Sequence, residues 1–331
     1  MKYDFDAAPE RRNTGSLKWD ICESRYGLKE IIPMWIADMD FACPPPVAEA
    51  VRKRAEHPVY DYPCHPPSYW NSAIRWLKDR HGWDVRREWL TKSPGVVPAI
   101  NLCVQAFTRP GEGVVIQTPV YHPFHSAVEN NGRRLVRNPL RREGSRWIMD
   151  FEDLERKIDP QTRMLILCNP HNPVGRVWTR EELERLGEIC VRRDLILVAD
   201  EIHGDLVLGR RRYVPAASTS PAVAERTITC LAPSKTFNVA GLSTSVIIAS
   251  NPSLRAGFDR WRIQSARTAF SIRSRASRRR GRGQARFILS KPRNSSPKVG
   301  PPSNSTPAFR RKKASSASWS IPRRRQSRRA R

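Results

Sequence analysis

Four apolar runs separated by stretches of helical period leave few folds open to this chain. Gly113-Val114-Val115-Ile116-Gln117-Thr118-Pro119, Met164-Leu165-Ile166-Leu167-Cys168, Leu195-Ile196-Leu197-Val198-Ala199 and Thr227-Ile228-Thr229-Cys230-Leu231 each read as a buried strand. Between them lie helical segments such as Thr179 to Arg193, which opens on the capping box Thr179-Arg180-Glu181-Glu182 and lines up Leu183, Leu186, Ile189 and Cys190 on one side. Strand and helix alternate from 113 to 250, which predicts an α/β fold, a mostly parallel sheet covered by helices on both faces. The most apolar strands, 164–168 and 195–199, belong at its centre.

Three of these runs end in polar clusters. Asn169-Pro170-His171-Asn172-Pro173-Val174-Gly175 follows the second, Asp200-Glu201-Ile202-His203-Gly204-Asp205 the third, and Ala232-Pro233-Ser234-Lys235-Thr236-Phe237-Asn238 the fourth. Ligands of open α/β sheets bind beyond such strand ends. A lone Ser-Lys pair is ordinarily a solvated surface charge, and Asp200 alone reads as a helix cap or a loop charge. Together the three clusters deliver an amide, a carboxylate and an amine. A partly desolvated lysine is a nucleophile toward carbonyls, including a cofactor aldehyde. A pyridine-ring cofactor needs such a set: an acid for the ring nitrogen, a polar donor for the ring hydroxyl and an amine for the aldehyde.

With these clusters the chain resembles the fold-type I pyridoxal-phosphate enzymes of the class I/II aminotransferase superfamily. More narrowly, it is similar to the cystathionine β-lyase and cysteine-S-conjugate C–S lyase subgroup, the maltose-regulon modulator-like enzymes. The narrower likeness is carried by Met34-Trp35-Ile36-Ala37-Asp38-Met39-Asp40-Phe41, Arg80-His81-Gly82-Trp83, Gly95-Val96-Val97-Pro98-Ala99-Ile100 and Ser234 to Leu242, and it spans about residues 1 to 258. The resemblance implies pyridoxal 5'-phosphate held by Lys235, with Asp200 on the ring nitrogen and Asn172 on the ring hydroxyl. His203 is then a partner for the same oxygen or orients Asp200. Tyr121 stacks on the ring and assists proton transfer. The amides of Val96 and Val97, at a helix start, hold the phosphate, as does Ser234, although any Gly-to-helix turn offers such amides and Ser234 also reads as a turn hydroxyl. Tyr62 reaches across a homodimer to the neighbour's phosphate, or is a structural tyrosine; Asp61 stands before it where the family usually has glycine. The implied reaction is C–S β-lysis of cystathionine or another cysteine conjugate to a thiol, pyruvate and ammonia. The alternatives are an aminotransferase, and an inactive regulator or polyanion binder acting through its tail.

The remaining signals concern organisation. Pro46 to about His57 reads as a helix with Val47, Ala50, Val51 and Ala55 at helical spacing, and Ser68 to Asp79 as another; the resemblance implies that Met34 to Phe41 runs into the active site, while Trp35 and Phe41 also read as simple core packing, the preferred reading for Trp35. The seven cysteines form no Cys-x-x-Cys pair, which fits a reducing compartment. The first residues lack a signal-peptide pattern and no stretch approaches the roughly 20 apolar residues of a membrane span, so a cytoplasmic protein is expected. His122 and His125 have no third ligand partner and read as loop histidines, so no metal is expected.

The net charge of +27 is unevenly placed. Residues 260–331 hold 23 Lys and Arg and no Asp or Glu, leaving 36 basic against 32 acidic residues in the body. The expected layout is an N-terminal arm over 1–45, a large cofactor-binding domain over 46–258, and a basic Ser/Arg/Pro-rich tail over 259–331 without apolar period. The tail reads either as a polyanion-binding appendage, the sole route to a nucleic-acid partner, or as out-of-frame sequence; the abrupt loss of acids favours the second. The small C-terminal domain that such enzymes carry is then largely missing, and with it the arginine they use for the substrate carboxylate.

Overall fold

A computed structural model describes residues 3–28 and 30–265. In chain order its helices are α1 (Cys22–Tyr26), α2 (Pro45–Ala55), α3 (Pro67–His81), α4 (Val96–Phe107), α5 (Pro123–Glu129), α6 (Phe151–Lys157), α7 (Arg180–Arg192), α8 (Pro221–Ala224) and α9 (Pro233–Thr236), followed by a helical stretch over 252–265. Its strands are β1 (Leu90–Ser93), β2 (Gly113–Thr118), β3 (Arg134–Pro139), β4 (Arg141–Glu143), β5 (Arg146–Ile148), β6 (Thr162–Cys168), β7 (Ile196–Asp200), β8 (Thr227–Leu231) and β9 (Ser245–Ile248). β4 and β5 pair as a small hairpin, and the other seven form one sheet in the order β1-β9-β8-β7-β6-β2-β3. Strands β8, β7, β6, β2 and β3 are mutually parallel, and β9 runs antiparallel between β8 and β1. The expected α/β architecture is therefore present, with β7 at the centre and β6 beside it.

Alternation along the strands sorts their side chains into two cores. Val114, Ile116, Met164, Ile166, Cys168, Val198, Ile228 and Cys230 face α4 and α5, packing on Ala99, Ile100, Cys103, Val104, Phe124 and Val128. Val115, Leu165, Leu167, Leu197 and Ala199 face the other way, onto Leu154 of α6 and Leu183, Leu186 and Ile189 of α7. A third cluster joins Trp70 and Leu77 of α3 to Leu90, Val246 and Ile248 at the β1–β9 end. Helix α7 starts on the expected capping box: Thr179 accepts from the Glu182 amide at 3.2 Å, and the Glu182 carboxylate accepts from the Thr179 amide at 2.8 Å.

Helix α2 forms as expected, with no residue fully buried and Val51 well exposed. Two expectations need correction. Trp35 is half-buried rather than core; its ring lies under the Arg25 guanidinium at 4.4 Å and its Nε1 donates to the Lys18 carbonyl, while Phe41 is exposed. The ordered chain also does not stop at 258. The helical stretch continues through 265, Phe258 is buried, Trp261 packs on the α4-side core, and Asp259 accepts from the Thr91 hydroxyl at 2.6 Å. The rest of the basic tail, from 266, lies outside the described residues.

Candidate active site

The site is built by the register of three neighbouring parallel strands. Cys168 of β6 lies opposite Asp200 of β7, and Asp200 lies opposite Cys230 of β8. Chain order then carries Asn172 out of β6 and Lys235 out of β8 on either side of Asp200. Because Asp200 follows Val198 by two positions, it points to the α4 side of the sheet. Its carboxylate is buried, and among the described residues it accepts one hydrogen bond, from the Ile202 amide at 3.2 Å. Burial pushes the Asp200 carboxyl up to about 7; that amide and the Lys235 charge pull the other way without prevailing. A buried acid so poorly paired calls for a cationic or N–H partner.

Lys235 sits in α9, directly beyond β8. Burial lowers its amine from the ordinary lysine value, opposed by the charges of Asp38 and then Asp200. Its Nζ donates to the Ala37 carbonyl at 2.6 Å, so the 34–41 segment does run into the site. The same segment is fastened by Asn238, whose amide group accepts from Met39 N at 3.1 Å and donates to Met39 O at 2.9 Å and Phe41 O at 2.8 Å. Asn238 adopts φ +54°, a left-handed conformation that asparagine tolerates better than most residues.

The other expected residues fall as follows. The Tyr121 amide donates to the Asn172 carbonyl at 3.0 Å, which places these two side by side. Burial and the Asp200 charge both raise the Tyr121 phenol, so its ring stands near that carboxylate. His203 is half-buried, and burial and the nearby Lys235 charge lower its imidazole. His203 makes no hydrogen bond to Asp200 among the described residues, which leaves the orienting role without support. Val96 and Val97 are the first two residues of α4, after the extended Gly95, and no side chain caps this helix. Its leading amides point out of the helix at the strand-end side of the sheet. Ser234 is half-buried in α9, one residue before Lys235. Tyr62 stands apart: it is 96% exposed and joins none of these groups within the chain.

Sequence reasoning quoted Asp205, Glu201 and His81 inside motifs but gave them no task. Asp205 accepts from Trp76 Nε1 at 3.0 Å, His81 Nε2 at 2.8 Å and the Thr236 hydroxyl at 2.7 Å, tying α3 to the residue after Lys235. Glu201 is buried and accepts from Asn169, from the Ala216 amide and from the Tyr213 hydroxyl, which anchors the loop after β7. The sequence signal for both was the dense acidic cluster at one strand end.

The arrangement therefore pairs a buried, under-satisfied acid with a desolvated amine, an aromatic ring and an uncapped helix start. A model of the class I and II aminotransferases matches residues 29–275, beyond the point where the motifs thin out. The chain belongs to the class I and II aminotransferase family. Within this family it is 46% identical over 256 residues to the cystathionine beta-lyase PatB of Bacillus subtilis, a match covering 77% of this chain and 66% of that protein. Among solved family structures, cystalysin of Treponema denticola, which contains a pyridoxal 5'-phosphate cofactor, is 40% identical with a TM-score of 0.76, covering 79% of this chain and 67% of that one. The pyridoxal-phosphate-bound C–S lyase of Staphylococcus hominis is 34% identical with a TM-score of 0.73, covering 79% and 66%. The chain thus spans about two thirds of the length of these aminotransferase-family relatives.

Proposed function

We propose that this chain is a pyridoxal-phosphate-dependent C–S β-lyase that releases a thiol, pyruvate and ammonia from cystathionine or another cysteine S-conjugate. The observation that carries the reading is that the chain segments bearing Asn172, Asp200 and Lys235 leave the adjacent ends of β6, β7 and β8, with the Lys235 and Asp200 charges acting on one another. The likeness to PatB and to the Staphylococcus C–S lyase supports the lyase over the transaminase.

The residues fit the cofactor. Asp200, buried with a single amide donor, suits a ring N–H, and the pairing would return its carboxyl to the ionised form. The free α4 amides of Val96 and Val97, with Ser234, suit a phosphate. Asn172 suits the ring hydroxyl with His203 beside it, and Tyr121 the ring face. Bound there, pyridoxal phosphate supplies an electron sink for the α-carbon of an amino acid. Lys235 would hold the cofactor aldehyde and, displaced by the substrate amine, would serve as the base for the α-proton, the cofactor supplying the electron sink that lets a thiolate depart from Cβ; burial lowers the amine's pKa, which favours its neutral form for both tasks. Tyr121, whose backbone amide donates to the Asn172 carbonyl, would pass a proton.

Tyr62, exposed among the described residues, fits a homodimer in which it reaches the partner's phosphate site. The seven free cysteines fit the cytoplasm. No helix among the described residues is long and apolar enough to cross a membrane.

The test is direct. Full-length protein mixed with pyridoxal phosphate should gain a visible absorption band that Lys235→Ala abolishes. With cystathionine it should release pyruvate without any 2-oxo acid; strict dependence on such an acceptor would replace the lyase by an aminotransferase. Light scattering should give twice the chain mass.

A further inference from the structure

The N-terminal residues 11–19 hold a cluster of charges that the proposed chemistry does not use. Arg11 forks over two carboxylates, with Nη2 to Asp38 at 2.8 Å and Nη1 to Asp40 at 2.6 Å. Lys18, almost fully buried, reaches the same pair, at 3.2 Å to Asp38 and 3.0 Å to Asp40, and donates to the Asp38 carbonyl at 3.0 Å. Trp19 Nε1 adds a third donor to Asp40 at 3.0 Å. Two cations and two anions are thus locked together, half out of water. The residue before Asp38 is Ala37, whose carbonyl takes the Lys235 amine.

We propose that Asp38, clamped by Arg11 and Lys18, is a positioning residue for Lys235: it holds the Ala37 carbonyl on the amine and sets the net charge beside it. Three observations converge. Segment 37–41 is stitched to the lysine segment at two points, Ala37 to Lys235 and residues 39–41 to Asn238. It is stitched on its other side to residues 11–19 by four ion pairs. Asp38 also contributes the largest charge acting on the amine, ahead of Asp200. The charged groups facing Lys235 are Asp38 from this segment, Asp200 from the end of β7 and His203 from the loop that follows. Asp38 alone among them carries its own pair of counter-cations, so its effect on the amine depends on how fully Arg11 and Lys18 neutralise it.

The inference takes Lys235 as the reactive amine, as the proposed function does, yet it can be tested apart from it. Cofactor-stripped full-length protein is methylated with formaldehyde and cyanoborohydride across a pH series, and the Lys235 peptide is quantified by mass spectrometry. The midpoint reports when the amine loses its proton. Arg11→Gln uncovers negative charge and should move the midpoint up by about half a pH unit or more; Asp38→Asn leaves two cations beside the amine and should move it down by a similar amount. Arg11→Lys, which keeps the charge, should stay near the native midpoint. Should Arg11→Gln fail to fold, Lys18→Met removes the other cation and carries the same upward expectation. Shifts of opposite sign support the inference, because a merely structural loosening would move both variants alike; equal or absent shifts overturn it. Pyruvate release measured in parallel separates the two readings: a chain without lyase activity but with opposed shifts keeps this inference and loses the other.

Discussion

Asp200 shows burial setting the protonation of a single residue. Its carboxyl is held at about 7, above its ordinary value near 4, so the folded chain binds a proton there that the unfolded chain releases. Stability of the cofactor-free protein therefore falls as pH rises from about 4 to about 7, at a cost of roughly 4 kcal/mol at most. Asp200→Asn should remove that part of the slope: in urea unfolding it should match the native chain near pH 4 and exceed it at pH 8. A gap of equal size at both pH values would refute the assignment. Glu201, also raised to about 7 by burial, keeps a slope of its own in the variant. The same substitution should weaken pyridoxal phosphate binding, since an amide cannot pair with a protonated ring as a carboxylate does. Asp200, Asn172 and Lys235 were legible in the sequence because each stands at a strand's last residue or a few residues past it, so local pattern fixes its address. Asp205 and Asp38 were not. Their tasks arise from contacts 129 residues away, to Trp76, and 198 residues away, where Lys235 meets the neighbour of Asp38. No local period carries such information.

Among the elements, α7 divides into a part that the sequence announced and a part that it did not. Its capping box was visible as Thr179 and Glu182 three residues apart, and the reciprocal bonds are present. Thr179→Ala should cost about 1 kcal/mol in thermal or urea unfolding, with no change in the cofactor spectrum. Gly187 lies inside the same helix, where glycine ordinarily costs stability. A Cβ built there would run into the Val223 side chain of α8, so the glycine is what lets α7 and α8 approach. Gly187→Ala should destabilise by about 1–3 kcal/mol, and Val223→Ala in the same chain should recover part of the loss. Helix α2 shows the opposite limit. Its apolar spacing correctly foretold a helix, but spacing cannot say whether a partner surface stands opposite, and within the described residues none does.

For the molecule as a whole, strand–helix alternation was enough to foresee a helix-covered parallel sheet with β6 and β7 near its middle. It could not foresee that β9 inserts antiparallel between β8 and β1, because its short apolar run reads the same in either direction. Nor could composition show that the helical stretch runs past 258, since Arg260 and Arg262 look like the start of the basic tail. Asp259 and Trp261, one bonded to Thr91 and the other on the core, decide it. Asp259→Ala should lower stability by about 1–2 kcal/mol if residues beyond 258 are part of the folded body, and by nothing measurable if they are not.

The crosswise alignment of Cys168, Asp200 and Cys230 carries one last consequence. Side chains along a strand alternate between the two sides of the sheet, so Asp200 reaches the α4 side only by counting evenly from Val198. Deleting a single residue within β7 would reverse that parity and aim the acid at the leucine layer over α7. Lys235 and Asn172 could stay in place, and the proposed site would still lack its acid. Odd-length insertions or deletions in this five-residue strand should therefore abolish cofactor capture far more often than the same changes in the neighbouring loops.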